Sequence, residues 1–275
     1  MTATLNPVTI QAVGLTNRTS VAGRTSLTRQ MAVEARKLVD TRSGFWLVLA
    51  GCLVTAAASA LTAFLVLGPL GADPSQYTLM MATSSVGTVV GMFLALLGIL
   101  TITTEWTQRT ALVTFALEPR RGRVLLAKVG MLIGAWLLVV ALSVAIGAAI
   151  IALTQAMGLA TSWDLPIAQM AGFAANALFD VALGIALGLM LQHGAAAVVS
   201  FFALPMAATM VTSAGQLWEP LGNLAWWVAP NNVLGALAMG EMVGVQWLQL
   251  STVLLIWVMI PAAIGTWRWM RRQVS

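Results

Sequence analysis

Charge is what this sequence has least of. Asp, Glu, Lys and Arg make up 8% of its 275 residues, against about 25% in an ordinary soluble domain. So few charges cannot cover a water-soluble globule of this size. A soluble enzyme, a disordered chain and a fibrous repeat are all excluded on that ground. Cysteine occurs once, as Cys52 inside an apolar run, which excludes an intrachain disulfide and a thiolate metal cluster. Histidine also occurs once, as His193. No HExxH, no GxSxG and no pair of carboxylates within one apolar run accompanies it, so no catalytic or metal centre is visible. A lone histidine in the turn Gln192-His193-Gly194 reads better as a polar helix terminus than as a base. Only two lysines are present. Lys37 follows Arg36 and Lys128 follows Ala127, so neither completes the GxxxxGK[ST] loop that cradles ATP phosphates.

Apolar sequence fills the space left by charge. Hydrophobic residues make up 59%, and the mean hydropathy is +0.90. A membrane-crossing helix needs about 20 apolar residues. Six runs satisfy this, at about 45–67, 79–102, 129–156, 167–191, 195–213 and 247–266. Residues 1–25 read as a flexible cytoplasmic tail, and 26–272 as a single membrane domain. The fold class expected is all-α, integral to the membrane.

The formal charge of +5 reflects topology rather than nucleic-acid binding. Six of the 14 basic residues precede span one, five lie between spans two and three, and three follow span six. All therefore fall on one side of a six-span chain. The opposite loops carry Asp73, Asp164, Glu219 and Glu241 and no Lys or Arg. The positive-inside rule then places both termini of this multi-pass protein in the cytoplasm.

Two cytoplasmic elements are expected. Ser26 is a suitable N-cap for a helix to about Thr41, with Leu27, Met31, Ala35 and Leu38 on one stripe. Arg29, Arg36, Lys37 and Asp40 lie off it, and Arg36 and Asp40 form an i,i+4 pair. Such a helix suits the inner leaflet, as a lipid anchor or as a partner contact. Between spans two and three, Trp106, Thr110, Val113 and Leu117 share a helical face. Pro119 ends that element, and Arg120, Arg121 and Arg123 form a basic turn into span three.

These two elements carry a resemblance. Thr104–Lys128, with Glu105, Arg109-Thr110, Glu118-Pro119-Arg120-Arg121 and Ala127-Lys128, resembles the first cytoplasmic loop of type-2 ABC exporter permeases. Glu34-Ala35-Arg36-Lys37-Leu38-Val39-Asp40-Thr41-Arg42-Ser43 is similar to the elbow helix of that family, particularly its actinobacterial members. The resemblance implies a permease subunit that is not itself an enzyme and holds no cofactor. ATP and Mg would be bound by a separate cytoplasmic ABC ATPase. Glu105–Leu117 would be the coupling helix, with Glu105, Trp106, Arg109, Val113, Leu117 and Arg121 as its coupling residues. A second permease copy or a homologue would complete the pathway, and transport would run outward. An apolar lining suits an amphipathic or hydrophobic cargo such as a drug or lipid.

Three further features remain. Asp180 is the one charged residue well inside a span, about 20 Å along span four from Ile167 at 1.5 Å per residue. A central carboxylate costs about 2.5–3.5 kcal/mol to insert, so it should not face lipid. Asn176 shares its face, four residues earlier. The two are expected either in the pathway or dimer seam, or as a buried hydrogen-bonded pair. The alternative function, an ion-coupled secondary transporter, would rest on Asp180. The stretch 215–246 should form short interfacial or re-entrant helices, because Pro220 and Pro230 interrupt it and Trp218, Trp226 and Trp227 prefer the membrane boundary. By resemblance, Trp226, Trp227, Pro230 and Asn231 form part of an outer gate; otherwise the tryptophans are an anchoring belt. Finally, Gly87/Gly91, Gly130/Gly134 and Gly184/Gly188 are GxxxG pairs, suited to close helix packing within one chain or across a dimer seam.

Overall fold

A computed structural model describes residues 26–67, 73–107 and 120–271. Besides a 3-10 turn at Pro74–Gln76, nine helices are formed among them: α1 (Leu27–Asp40), α2 (Arg42–Leu67), α3 (Leu79–Thr107), α4 (Arg121–Ala156), α5 (Ile167–Leu191), α6 (Gly194–Gly215), α7 (Glu219–Val228), α8 (Pro230–Met239) and α9 (Gly244–Arg271). No strand is formed among the described residues, apart from an isolated bridge between Thr78 and Ser162. Six helices, α2 to α6 and α9, are long and apolar enough to cross a membrane. Hydrocarbon offers backbone groups no hydrogen bonds, so spanning segments must satisfy their own, and the helix does so. The chain is a multi-pass membrane protein.

The helices overrun the apolar runs at the basic end. α3 continues from 102 to Thr107, and α4 starts at Arg121 rather than near 129. A charge-free run marks the hydrocarbon thickness, whereas a helix persists until a residue breaks it. Arg121, Arg123 and Lys128 are good helix formers and do not.

The centre is built by α3 and α5. About half of the most apolar stretch of each is buried (56% and 50%), against 11% for α2. Small residues bring the two together. A Cβ at Gly184 would lie 2.5 Å from the Ala95 carbonyl oxygen, and one at Gly188 would lie 3.3 Å from Ile102 Cβ. Ala95, Ile99, Phe179, Leu183, Leu187, Phe201 and Val253 pack around that seam. The other GxxxG pairs diverge. Gly87 meets the Phe173 ring and Ser143, Gly130 meets Met31 of α1, and Gly134 has open space beside it.

Connections are short and locally capped. Gln192, in the left-handed region at φ 51°, ends α5. His193 then caps α6, its Nδ1 accepting from the Ala196 amide at 3.3 Å, as expected of a polar helix terminus. Leu79 and Met80 donate to the carbonyls of Ser162 and Asp164 at 2.9 and 3.0 Å, satisfying first-turn amides of α3 that the helix cannot. α7 and α8 are the short helices expected of 215–246, each with proline in its first turn, where a missing amide costs nothing. α9 carries a π turn at Leu255–Met259 just before Pro261. Proline cannot donate to the carbonyl four residues back, and the widened turn accommodates that loss.

One end of the bundle collects the cations. Arg121 of α4 donates through Nη1 to the carbonyls of Trp269 and Met270 at 3.2 and 3.4 Å. Arg268 of α9 donates to the carbonyl of Met190 in the last turn of α5. Each guanidinium thus satisfies terminal carbonyls of a neighbouring helix and faces the negative end of its dipole.

Candidate functional site: a buried charge cluster and a carboxylate-lined cavity

At the basic end, α1 is tied to the bundle by four charges. Lys128 Nζ lies 2.6 Å from Glu34 Oε2 and 3.1 Å from Glu105 Oε1, and also donates to the Thr101 carbonyl at 3.1 Å. Lys37 Nζ lies 2.7 Å from Glu34 Oε1 and 3.5 Å from Glu105 Oε1. The Lys128 side chain is 2% exposed, Glu34 7% and Glu105 6%. Three of the four charges are therefore withdrawn from water, and two lysines balance two glutamates. Burial alone would push the Glu34 carboxyl up, but Lys128 and then Lys37 overcome it and hold the group below its usual range. Burial likewise opposes the charged Lys37, yet bonding to Glu34 and Glu105 raises its pKa. Apolar packing surrounds the cluster, since Met31 and Leu38 of α1 join Leu94, Met131, Leu132 and Val181.

This arrangement changes the picture of α1. The helix forms where expected, and the Ser26 hydroxyl accepts from the Arg29 amide at 3.2 Å. Its ion pairs, however, run from Glu34 and Lys37. Among the described residues no pair joins Arg36 to Asp40. Part of the apolar stripe packs on α4, as the contact of Met31 with Gly130 shows. Sequence reasoning missed Glu34 and Lys128. Their signal was scarcity, because a sequence with two lysines keeps both beside acids.

Expected coupling residues fall in different places. Glu105 is turned inward to the lysines, and Arg121 to the end of α9. Trp106 lies in the last turn of α3. Arg109, Val113 and Leu117, and the 108–119 segment as a whole, lie outside the described residues, as does the expected tail 1–25.

On the other half of the bundle, a cavity of about 480 Å³ opens between α3, α5, α6 and α8. Asn176 and Asp180 of α5 line it together with Pro230 and Asn231 of α8. Sequence reasoning named these four for two separate places, and the fold brings them to one. Phe179, Phe201 and Phe202 supply aromatic wall, the last two edge-to-face at 5.2 Å. Thr88, Phe202, Asn231 and Gly235 are exposed, so the cavity reaches the molecular surface. Asn231 is held by donating through Nδ2 to Thr209 Oγ1 at 2.6 Å. Asp180 makes no hydrogen bond or ion pair with any described residue. It does not form the buried pair with Asn176 that was the other expectation.

Trp226 and Trp227 are not part of this cavity. Trp226 lines a separate recess of about 310 Å³ with Glu219, Asn223 and Asn232. Trp227 is 38% exposed. α7 is instead joined to α9 by Trp257 Nε1, which donates to the Val228 carbonyl at 2.7 Å.

No group of three or more metal-ligating side chains exists among the described residues. Comparison of the chain with protein-family models, curated proteins and solved structures finds no match.

Proposed function

We propose that this chain is the transmembrane permease subunit of an ATP-driven exporter, moving an amphipathic or hydrophobic substrate outward. A separate cytoplasmic ATPase supplies the energy, and a second permease copy or homologue completes the pathway. The observation that carries this reading is the charge cluster at the roots of the 108–119 segment. Glu105 stands at the end of α3 and Lys128 near the start of α4, and both are bonded to each other and to α1. A push on the intervening segment would pass into spans two and three together instead of being absorbed by a loose loop. The one-sided placement of cations supports a cytoplasmic location for that end.

Two experiments test it. Val113→Asp should weaken pull-down of the proposed cytoplasmic ATPase and cut transport severalfold, while membrane insertion survives. Val113 is the appropriate handle, since Glu105 is inside the cluster and its replacement would disturb packing as well as docking. Unchanged assembly and transport would sink the proposal. Topology is tested by cysteines at Ser75, Gly122 and Gly244 in a Cys52→Ala background. An impermeant thiol reagent should label positions 75 and 244 from outside, and 122 only after the membrane is opened. Labelling of position 122 in intact cells would overturn the orientation.

The second reading, an ion-coupled transporter, draws support from the unpartnered Asp180 at the cavity. It predicts transport abolished by dissipating the ion gradient and indifferent to ATP depletion, the reverse of the first.

A further inference from the structure

The chemistry of the 480 Å³ cavity is one-sided. Its polar groups are Thr88, Asn176, Asp180 and Asn231, and no Lys, Arg or His lines it. The Thr88 hydroxyl is occupied, donating to the Ser84 carbonyl at 2.8 Å. Asn231 spends its amide nitrogen on Thr209, which leaves its carbonyl oxygen as an acceptor. The remaining surface is apolar: three phenylalanines, aliphatic side chains, Pro205, Pro230 and Gly235. A carboxylate in such a setting lacks a counter-charge: none of the described lysines and arginines lines the cavity, and Lys37, Lys128, Arg121 and Arg268 are engaged at the basic end.

We infer that this cavity binds a lipophilic organic cation, whose positive centre pairs with Asp180 while its apolar body lies against Phe179, Phe201 and Phe202. Aromatic faces attract cations as well as hydrocarbon. A carboxylate withdrawn from bulk water gains most from a weakly hydrated cation, because little hydration must be stripped from it. The volume falls within the range of about 300–1,000 Å³ usual for small-molecule pockets. Asn176, one helical turn from Asp180, supplies a polar edge that orients an ether, hydroxyl or amide on the ligand. The inference rests on the proposed export function and names the substrate class for it. It would hold equally for a carrier driven by an ion gradient.

The test uses the purified full chain in lipid nanodiscs, without any ATPase, and a pair of probes alike in shape and opposite in charge. Tetraphenylphosphonium should bind saturably above the level of empty nanodiscs, and tetraphenylborate, titrated separately because the two ions precipitate together, should not. Asp180→Asn should weaken tetraphenylphosphonium binding by about tenfold or more, as expected when a charge-assisted contact is removed. Asp180→Glu should restore most of the affinity, and Asp164→Asn, an exposed acid outside the cavity, should leave it unchanged. Equal binding of the two probes by the unmodified chain would overturn the inference without recourse to a variant. So would unaltered affinity in Asp180→Asn, or an equal loss in Asp164→Asn. Because no ATPase is present, failure here leaves the exporter reading standing. Failure of the Val113→Asp test leaves the cation site standing.

Discussion

Lys128→Met should destabilise the protein by about 3–5 kcal/mol, the cost of leaving buried charge without its partner. Methionine keeps an unbranched apolar stem reaching as far as Cε of lysine and removes the ammonium. Glu34 and Glu105 would then face each other with Lys37 as their remaining cation, and its side chain is 44% exposed. Thr101 would lose a donor to its carbonyl. The same logic makes the neighbouring change small: Lys37→Met removes a half-solvated charge, worth about 0–1 kcal/mol. A melting curve of the solubilised protein would show a large shift for the first variant and little for the second. Adding Glu34→Gln and Glu105→Gln to Lys128→Met should recover much of the loss, since the one charge left, on Lys37, belongs to a side chain 44% exposed and can be solvated. Stability of Lys128→Met equal to that of the parent would refute this account of the cluster.

Its pH dependence follows from the signs of the shifts. Glu34 is held below its ordinary value of 4.5, so its contribution is present above that pH and is lost as pH falls through the lowered pKa. Lys37 is raised above 10.5, so its contribution is present below that pH and is lost as pH rises through the raised value. Between those limits the link between α1 and the bundle should be insensitive to pH. Accessibility of a cysteine placed at Met31, which packs against Gly130, would reveal loosening at either extreme in a Cys52→Ala background.

Gly184→Leu should abolish the native bundle, and Gly184→Ala should already cost about 1–3 kcal/mol, the usual penalty for overpacking. The obstacle is backbone: a Cβ there would stand 2.5 Å from the carbonyl oxygen of Ala95. A side chain can turn aside, whereas a carbonyl in mid-helix moves only with its helix. α3 and α5 would have to separate, opening the packing of Ile99, Leu183 and Leu187. Gly134→Ala provides the contrast. Nothing lies within 4 Å of its Cβ position, so the change should be neutral or gain up to about 1 kcal/mol from reduced chain entropy. Gel filtration in detergent and thermal melting would separate the two. Equal behaviour of the alanine variants would refute the assignment of the α3–α5 seam.

Those two glycines belong to GxxxG pairs indistinguishable as text, and they mark where reading the sequence stops. What the sequence determined is what summing over about twenty residues can report. Six spans were legible because hydrophobic length is a local property matched to bilayer thickness. The gathering of cations at one end was legible from counting, and α7 and α8 from Pro220 and Pro230, because proline acts on its own turn. The cap roles of Ser26 and His193 were equally local. The tertiary structure alone decided which groups meet. Lys128 reaches Glu34 across 94 residues, and Asp180 shares a cavity with Thr88 and Asn231 from other helices. Such meetings depend on how far each helix is rotated and slid against its neighbours. That register is set by the sum of many small packing contacts along the whole seam, and no single residue or short motif carries it.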